Sequence, residues 1–131
     1  MKLFIATVLG ILAAGLGIWV LELLGHMLFP IPFEIKADDI EAFKAAMFKI
    51  PFKSLMAVVL AHGIGVWFGM FVARMVDKTT HAPIYGVSSF IMLFTVINLL
   101  MIPHPTWFTI ADIGIILFAT IAYVATRKKK A

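Results

Sequence analysis

The 27 residues from Leu3 to Phe29 read LFIATVLGILAAGLGIWVLELLGHMLF and hold a single charge, Glu22. About 20 apolar residues suffice to cross the ~30 Å hydrocarbon layer of a bilayer, so this stretch is long enough to span it. Inside lipid a backbone must satisfy its own hydrogen bonds. A solid apolar run, rather than strict apolar–polar alternation, does this as a helix and not as a barrel strand. Reading Lys2 and the following apolar residues as a cleaved signal peptide is disfavoured, because the run outlasts a 7–15-residue signal core and no polar mature start follows it.

Three further runs repeat the pattern, over residues 54–76, 83–102 and 107–126. The predicted fold is therefore all-α, a four-transmembrane-helix bundle forming one integral membrane domain over residues 1–131. Composition agrees: 63% of the residues are hydrophobic and 14% charged, where soluble domains run near half and a quarter. The mean hydropathy of +1.05 excludes a soluble catalytic domain of any size. With no cysteine, disulfides, thiolate metal sites and thiol redox chemistry are excluded as well. The net charge of +4 does not point to nucleic acid, because the basic residues flank apolar segments instead of lining a soluble face.

Those flanking charges orient the chain. Lys2, the Arg74/Lys78 loop and Arg127-Lys128-Lys129-Lys130 fall on one side with Asp77 as their only acid, and the positive-inside rule makes that side cytoplasmic. Both termini are then inside. The other side carries Glu34, Lys36, Asp38, Asp39, Glu41, Lys44, Lys49 and Lys53, which sum to zero. Within this long connection Pro30 and Pro32 stop the first helix, and Asp38 or Asp39 can cap a new one. Ile40, Phe43, Met47 and Ile50 then recur at helical spacing before Pro51. An amphipathic interfacial helix over about residues 38–50 is expected, lying on the outer leaflet, capping the bundle or covering a site between the spans.

Small residues mark the packing faces. Ala57, Ala61, Gly65, Gly69 and Ala73 form an unbroken i, i+4 series in the second span, matched by Ala6, Gly10 and Ala14 in the first, a row that runs on through Ile18 to Glu22 and His26. Packing of the first two spans into an antiparallel pair is the favoured reading. A homodimer seam and a ligand cavity are the alternatives.

Apart from Arg74 in the last turn of the second, Glu22 and Asp112 are the charged residues within the spans, and an ionisable group there is a functional hypothesis by default because its burial is costly unless paired. Helical rise puts Glu22, His26, His62, Asn98, His104 and Asp112 all in the outer half, from four separate segments, with Asp112 and His62 most in need of a partner. In the inner half the main polar groups are Thr7, Ser88, Ser89 and Thr120, which can bond to their own helices. Glu22 and His26, four apart, also have the spacing of two metal ligands that His62 or His104 could complete, although the second Glu-x-x-His helix of di-iron bundles is absent. No opposed mid-span histidine pair suggests haem, and hydrolase, P-loop and dinucleotide motifs are missing, so the cofactor is left open.

Two stretches, Glu22-Leu23-Leu24-Gly25-His26 with Phe29-Pro30-Ile31-Pro32, and Asn98-Leu99-Leu100-Met101-Ile102-Pro103-His104-Pro105-Thr106-Trp107-Phe108, resemble a group of small bacterial four-span proteins of uncharacterised function. That resemblance covers nearly the whole chain in layout and implies a bacterial inner-membrane location, with nothing about a substrate. In size and span number the chain is also similar to small multidrug transporters, which carry an essential glutamate in their first span. Glu22 would be the matching residue, but it lies nearer the surface, and the long first connection departs from that family's short loops.

The leading expectation is a non-enzymatic membrane protein whose outward-facing polar pocket binds or moves a proton, a metal cation or a small or lipid ligand. The alternative is a structural or accessory subunit of a larger membrane complex, contacting its partner, or a second copy of itself, through the small-residue stripe. A lipid-directed enzyme with His62 and Asp112 as acid and base ranks third, since no nucleophile supports it.

Overall fold

A computed structural model of the chain describes residues 1–36 and 38–128; of the basic C-terminal cluster, Lys129 and Lys130 lie outside the described residues. Among the described residues five helices follow one another: α1 (Lys2–Leu28), α2 (Ile40–Met47), α3 (Phe52–Val76), α4 (Ala82–Met101) and α5 (Thr106–Lys128). All but α2 are long and apolar enough to cross a membrane, which fits a multi-pass membrane protein. No more than 44% of any of these four spans is buried within the chain. Their outward surfaces, with side chains such as Leu12, Trp19, Phe68, Phe118 and Ile121, are exposed and apolar. A helix hydrophobic all round needs an apolar solvent on its free face, and lipid supplies it.

Prolines set the breaks. α1 ends at Phe29, ahead of Pro30 and Pro32, while α3 and α5 start directly after Pro51 and Pro105. In α4, Pro83 occupies the first turn, where its missing N–H is not needed. The spans begin and end within two residues of the ranges expected from sequence.

The first connection departs more from expectation. Its helix runs only from Ile40 to Met47, not over residues 38–50. The Asp39 carboxylate accepts from the Glu41 and Ala42 amides and so caps it, and a tight turn from Lys49 N–H to the Ala46 carbonyl ends it before Pro51. Of its expected apolar stripe Met47 is buried, Phe43 and Ile50 are half-buried, and Ile40 is exposed.

α3 is the hub: it packs against α1, α4 and α5, whereas α1 and α5 do not approach each other. The α1–α3 contact is the closest, and it uses the small-residue rows. A side chain at Gly69 would run into the Gly10 carbonyl and Ala14, one at Gly65 into Ile18, and one at Gly25 into Ala57. The residues pair in reverse order along the two helices, so they are antiparallel and nearly in backbone contact. Ala61, Gly65, Gly69 and Ala73 are all buried in this way, so the stripe is occupied within the chain.

The end of the bundle that holds the chain termini has a dense core of Val66, Met70, Ile84, Val87, Ile116 and Tyr123. At this end α1 meets α4, where Gly10 faces Val87 and Gly86 faces Thr7. Thr7 and Thr120 bond back to the carbonyls of Leu3 and Ile116, as expected of isolated hydroxyls, but Ser88 instead meets Thr120 across the α4–α5 contact at 2.5 Å. Toward the other end, which carries α2, the core thins to Leu55, Val59 and Phe108, and a cleft opens.

Candidate functional site: a carboxylate–imidazole–carboxylate cluster in a cleft

His62 projects from the middle helix α3, between two helices that do not touch. Its Nδ1 lies 2.6 Å from Asp112 Oδ1 on α5, and its Nε2 lies 3.4 Å from Glu22 Oε1 on α1. One imidazole thus joins three spans, with a carboxylate at each ring nitrogen. Burial is graded across the cluster. The Asp112 side chain is 2% exposed, His62 17% and Glu22 32%, so the aspartate is sequestered and the glutamate reachable from the cleft.

Depth follows from helical rise. Glu22 stands six residues from the end of α1 and Asp112 six residues into α5, about 9 Å below the helix ends, while His62 is ten residues into α3, about 15 Å. At those levels an unpaired charge would be expensive, and mutual pairing is what makes the cluster tolerable. Because carboxylate oxygens can only accept from an imidazole N–H, a protonated His62 satisfies both acids at once, whereas a neutral His62 has one N–H for two carboxylates.

The cleft above has a volume of about 640 Å³, and Glu22, His26, His62, Asn98, His104 and Asp112 all line it. The six polar residues picked out from four separate segments therefore share one space. They do not all touch. No hydrogen bond joins Glu22 to His26 among the described residues, and both His26 and Asn98 are exposed at the rim. His104 is held in the α4–α5 turn, its Nδ1–H donating to the Ile102 carbonyl at 2.7 Å and its ring stacked on Phe108 at 4.9 Å. Burial holds its pKa below the ordinary 6.5, against the opposing pull of that carbonyl and of the Asp112 charge. The neutral imidazole thus donates through Nδ1 and leaves Nε2 as an acceptor.

The walls are apolar: Ile18 from α1, Leu55 and Val58 from α3, Ile91 and Phe94 from α4, Phe108 from α5. Ile31, Ile35, Met47 and Ile50 of the first connection also line the cleft, so this segment contributes to its lining besides carrying α2.

Among the described residues no three His, Asp or Glu side chains stand together in the way a metal ion requires. In the centre of the site both nitrogens of His62 face carboxylate oxygens, Nδ1 toward Asp112 and Nε2 toward Glu22.

Sequence reasoning paired His62 with Asp112 and, separately, Glu22 with His26. It missed that Glu22 completes the His62 pair. The signal was present in the two small-residue rows. Once Ala14 is set against Gly69 and Ile18 against Gly65, the antiparallel α1–α3 register brings Glu22 to Ala61, next to His62. No protein-family model, curated protein or solved structure matches this chain.

Proposed function

We propose that this is a multi-pass membrane protein that takes up a proton at His62 and binds a small or lipid ligand in the cleft above it. The observation that supports this reading is the imidazole held between two carboxylates from different helices, at the floor of an otherwise apolar space open to the surroundings. Such a floor stores one exchangeable proton and links its position to the spacing of α1, α3 and α5. The groups facing His62 are Glu22 and Asp112, with His26 and His104 further out along the cleft. Ligand pockets of this kind, mostly apolar with a few convergent polar groups, are the usual form of small-molecule sites, and their volumes of roughly 300–1,000 Å³ bracket this one.

The test is a titration of His62 by NMR, with the imidazole isotope-labelled and the protein in lipid nanodiscs. The proton site is coupled to both acids if Glu22→Gln and Asp112→Asn each move the His62 midpoint. A midpoint unchanged in both variants would overturn the reading.

The basic flanks and the resemblance to small bacterial four-span proteins support a bacterial inner membrane, with both termini in the cytoplasm and the cleft facing outward. The accessory-subunit reading loses its main support, since the small-residue stripe is already occupied by α1.

A further inference from the structure

The cleft is closed at its base, where α1 and α4 meet, and open higher up along the same seam. Near the chain termini Gly10 and Gly86 bring the two helices into contact with Val87 and Thr7. Toward α2 the facing residues, Ile18, Glu22 and His26 on α1 and Ile91 to Ile102 on α4, line the cleft instead. Phe94 belongs to the cleft wall and is nonetheless 55% exposed, although it lies seven residues, about 10 Å, short of the α4 end at Met101. A cleft-lining side chain exposed at that depth marks a sideways opening, below the surface of the bilayer. Ile97, one turn nearer the end, is likewise both lining and exposed.

The level of the floor matters as well. α1 is 27 residues long, about 40 Å, so Glu22 at about 9 Å from its end stands about 11 Å from the helix midpoint. With a hydrocarbon half-thickness of about 15 Å, that is just inside the boundary between headgroups and acyl chains. Two carboxyl groups face one imidazole there, so Glu22, the more exposed of the two, keeps acceptor capacity that a cation can use. Phe94 and Phe108 supply aromatic surface in the same cleft, to which a cation is attracted.

Building on the reading above, we infer that the ligand is a single-chain amphiphile with a cationic amine head, which reaches the cleft sideways from the adjoining leaflet through the gap between α1 and α4. Glu22, the carboxylate accessible from the cleft, receives the head. Asp112 remains with His62. The tail lies along Ile91, Phe94 and Ile97 and continues into lipid, so the molecule need not leave the bilayer to bind. A cation arriving at Glu22 competes with the His62 N–H for the same oxygen, which is how binding and proton position become linked.

The probe is a dodecylamine carrying a diazirine in its chain, photolysed with the protein in nanodiscs and mapped by mass spectrometry. Labels are expected on cleft-facing α1 and α4 residues such as Ile18, Phe94 and Ile97. Excess dodecyltrimethylammonium should remove them, while dodecyl sulfate and dodecanol at equal membrane concentration should not. Glu22→Gln should weaken the competition by about tenfold, the scale of a hydrogen bond to a charged group. Labels confined to outward residues such as Leu12 and Phe118, or equal competition by dodecyl sulfate or dodecanol, would overturn the inference. Either outcome leaves the His62 titration standing on its own, so loss of this ligand class and loss of the proton site are separately visible.

Discussion

At the scale of single residues, the informative quantity is the difference in burial between the two acids that share His62. Asp112 is enclosed, and the His62 imidazole is the partner its carboxyl group meets. His62→Leu should destabilise the protein by about 3 kcal/mol or more, the cost of stranding one member of a buried pair. Adding Asp112→Leu to that variant should restore most of the loss, because an apolar pair of similar volume is close to neutral in the same place. Thermal unfolding of the four proteins of this cycle in one detergent measures the coupling; losses that simply add would show that the two side chains do not act as a pair. His104 gives a different prediction. Its folded-state pKa is depressed, so the unfolded turn, titrating near 6.5, takes up a proton before the folded one does. The stabilisation it contributes is present above pH 6.5 and is lost as the pH falls toward the depressed folded value. Amide exchange around residues 102–106 should therefore speed up between pH 7.5 and 5.5 after correction for intrinsic rates, and His104→Gln should remove that dependence. Equal protection at both pH values would count against it.

At the scale of elements, α1 and α3 are held by the absence of side chains. A Cβ at Gly69 would stand 2.5 Å from the Gly10 carbonyl oxygen and 2.6 Å from the Ala14 Cβ, and neither can move without moving a helix. Gly69→Ala should accordingly cost about 1–3 kcal/mol, and Gly69→Leu should prevent the native α1–α3 contact altogether. Gly15 is the control: it sits on the same α1 helix with nothing within 4 Å of its missing Cβ, so Gly15→Ala should be neutral or slightly stabilising. Comparable losses at Gly15 and Gly69 would mean that α1 and α3 do not pack in this register. The same contact sets the site, because the register that places Ala14 against Gly69 and Ile18 against Gly65 also brings Glu22 beside His62. α2 shows the opposite balance. Eight residues capped by Asp39 form a helix, yet it makes no close backbone contact with another helix, and its segment meets the rest of the protein through apolar side chains at the cleft.

For the whole molecule, four spans put both termini at one end and the cleft at the other. With the basic flanks facing the cytoplasm, a single cysteine introduced at Thr106 should react with a membrane-impermeant maleimide added outside intact cells, and one at Thr80 should not. The absence of native cysteine makes both variants clean reporters. Labelling at Thr80 in place of Thr106 would invert the orientation and turn the cleft toward the cytoplasm. The fold itself is asymmetric along the membrane normal, close-packed where α1 begins and α5 ends and open where α2 lies, and the Glu22–His62–Asp112 cluster stands toward the α2 end.

Much of this could be read from the chain directly. Long apolar runs broken by prolines specify four helices, because lipid leaves a backbone no other way to satisfy its hydrogen bonds, and the counting of residues along each helix located six polar groups in one half of the bundle. What helical periodicity could not supply was which faces meet. Glu22 and His62 are 40 positions apart, and His62 and Asp112 are 50. Their meeting depends on the rotation and register of α1, α3 and α5, which are set by small residues fitting against one another across helices and not by any local preference. The shortening of the expected interfacial helix to Ile40–Met47 is local in origin, since Asp39 caps its start and the turn from Lys49 to Ala46 closes it ahead of Pro51. The elements were determined by the amino-acid sequence and its solvent; the joining of three spans through one imidazole was decided by how closely their backbones could approach.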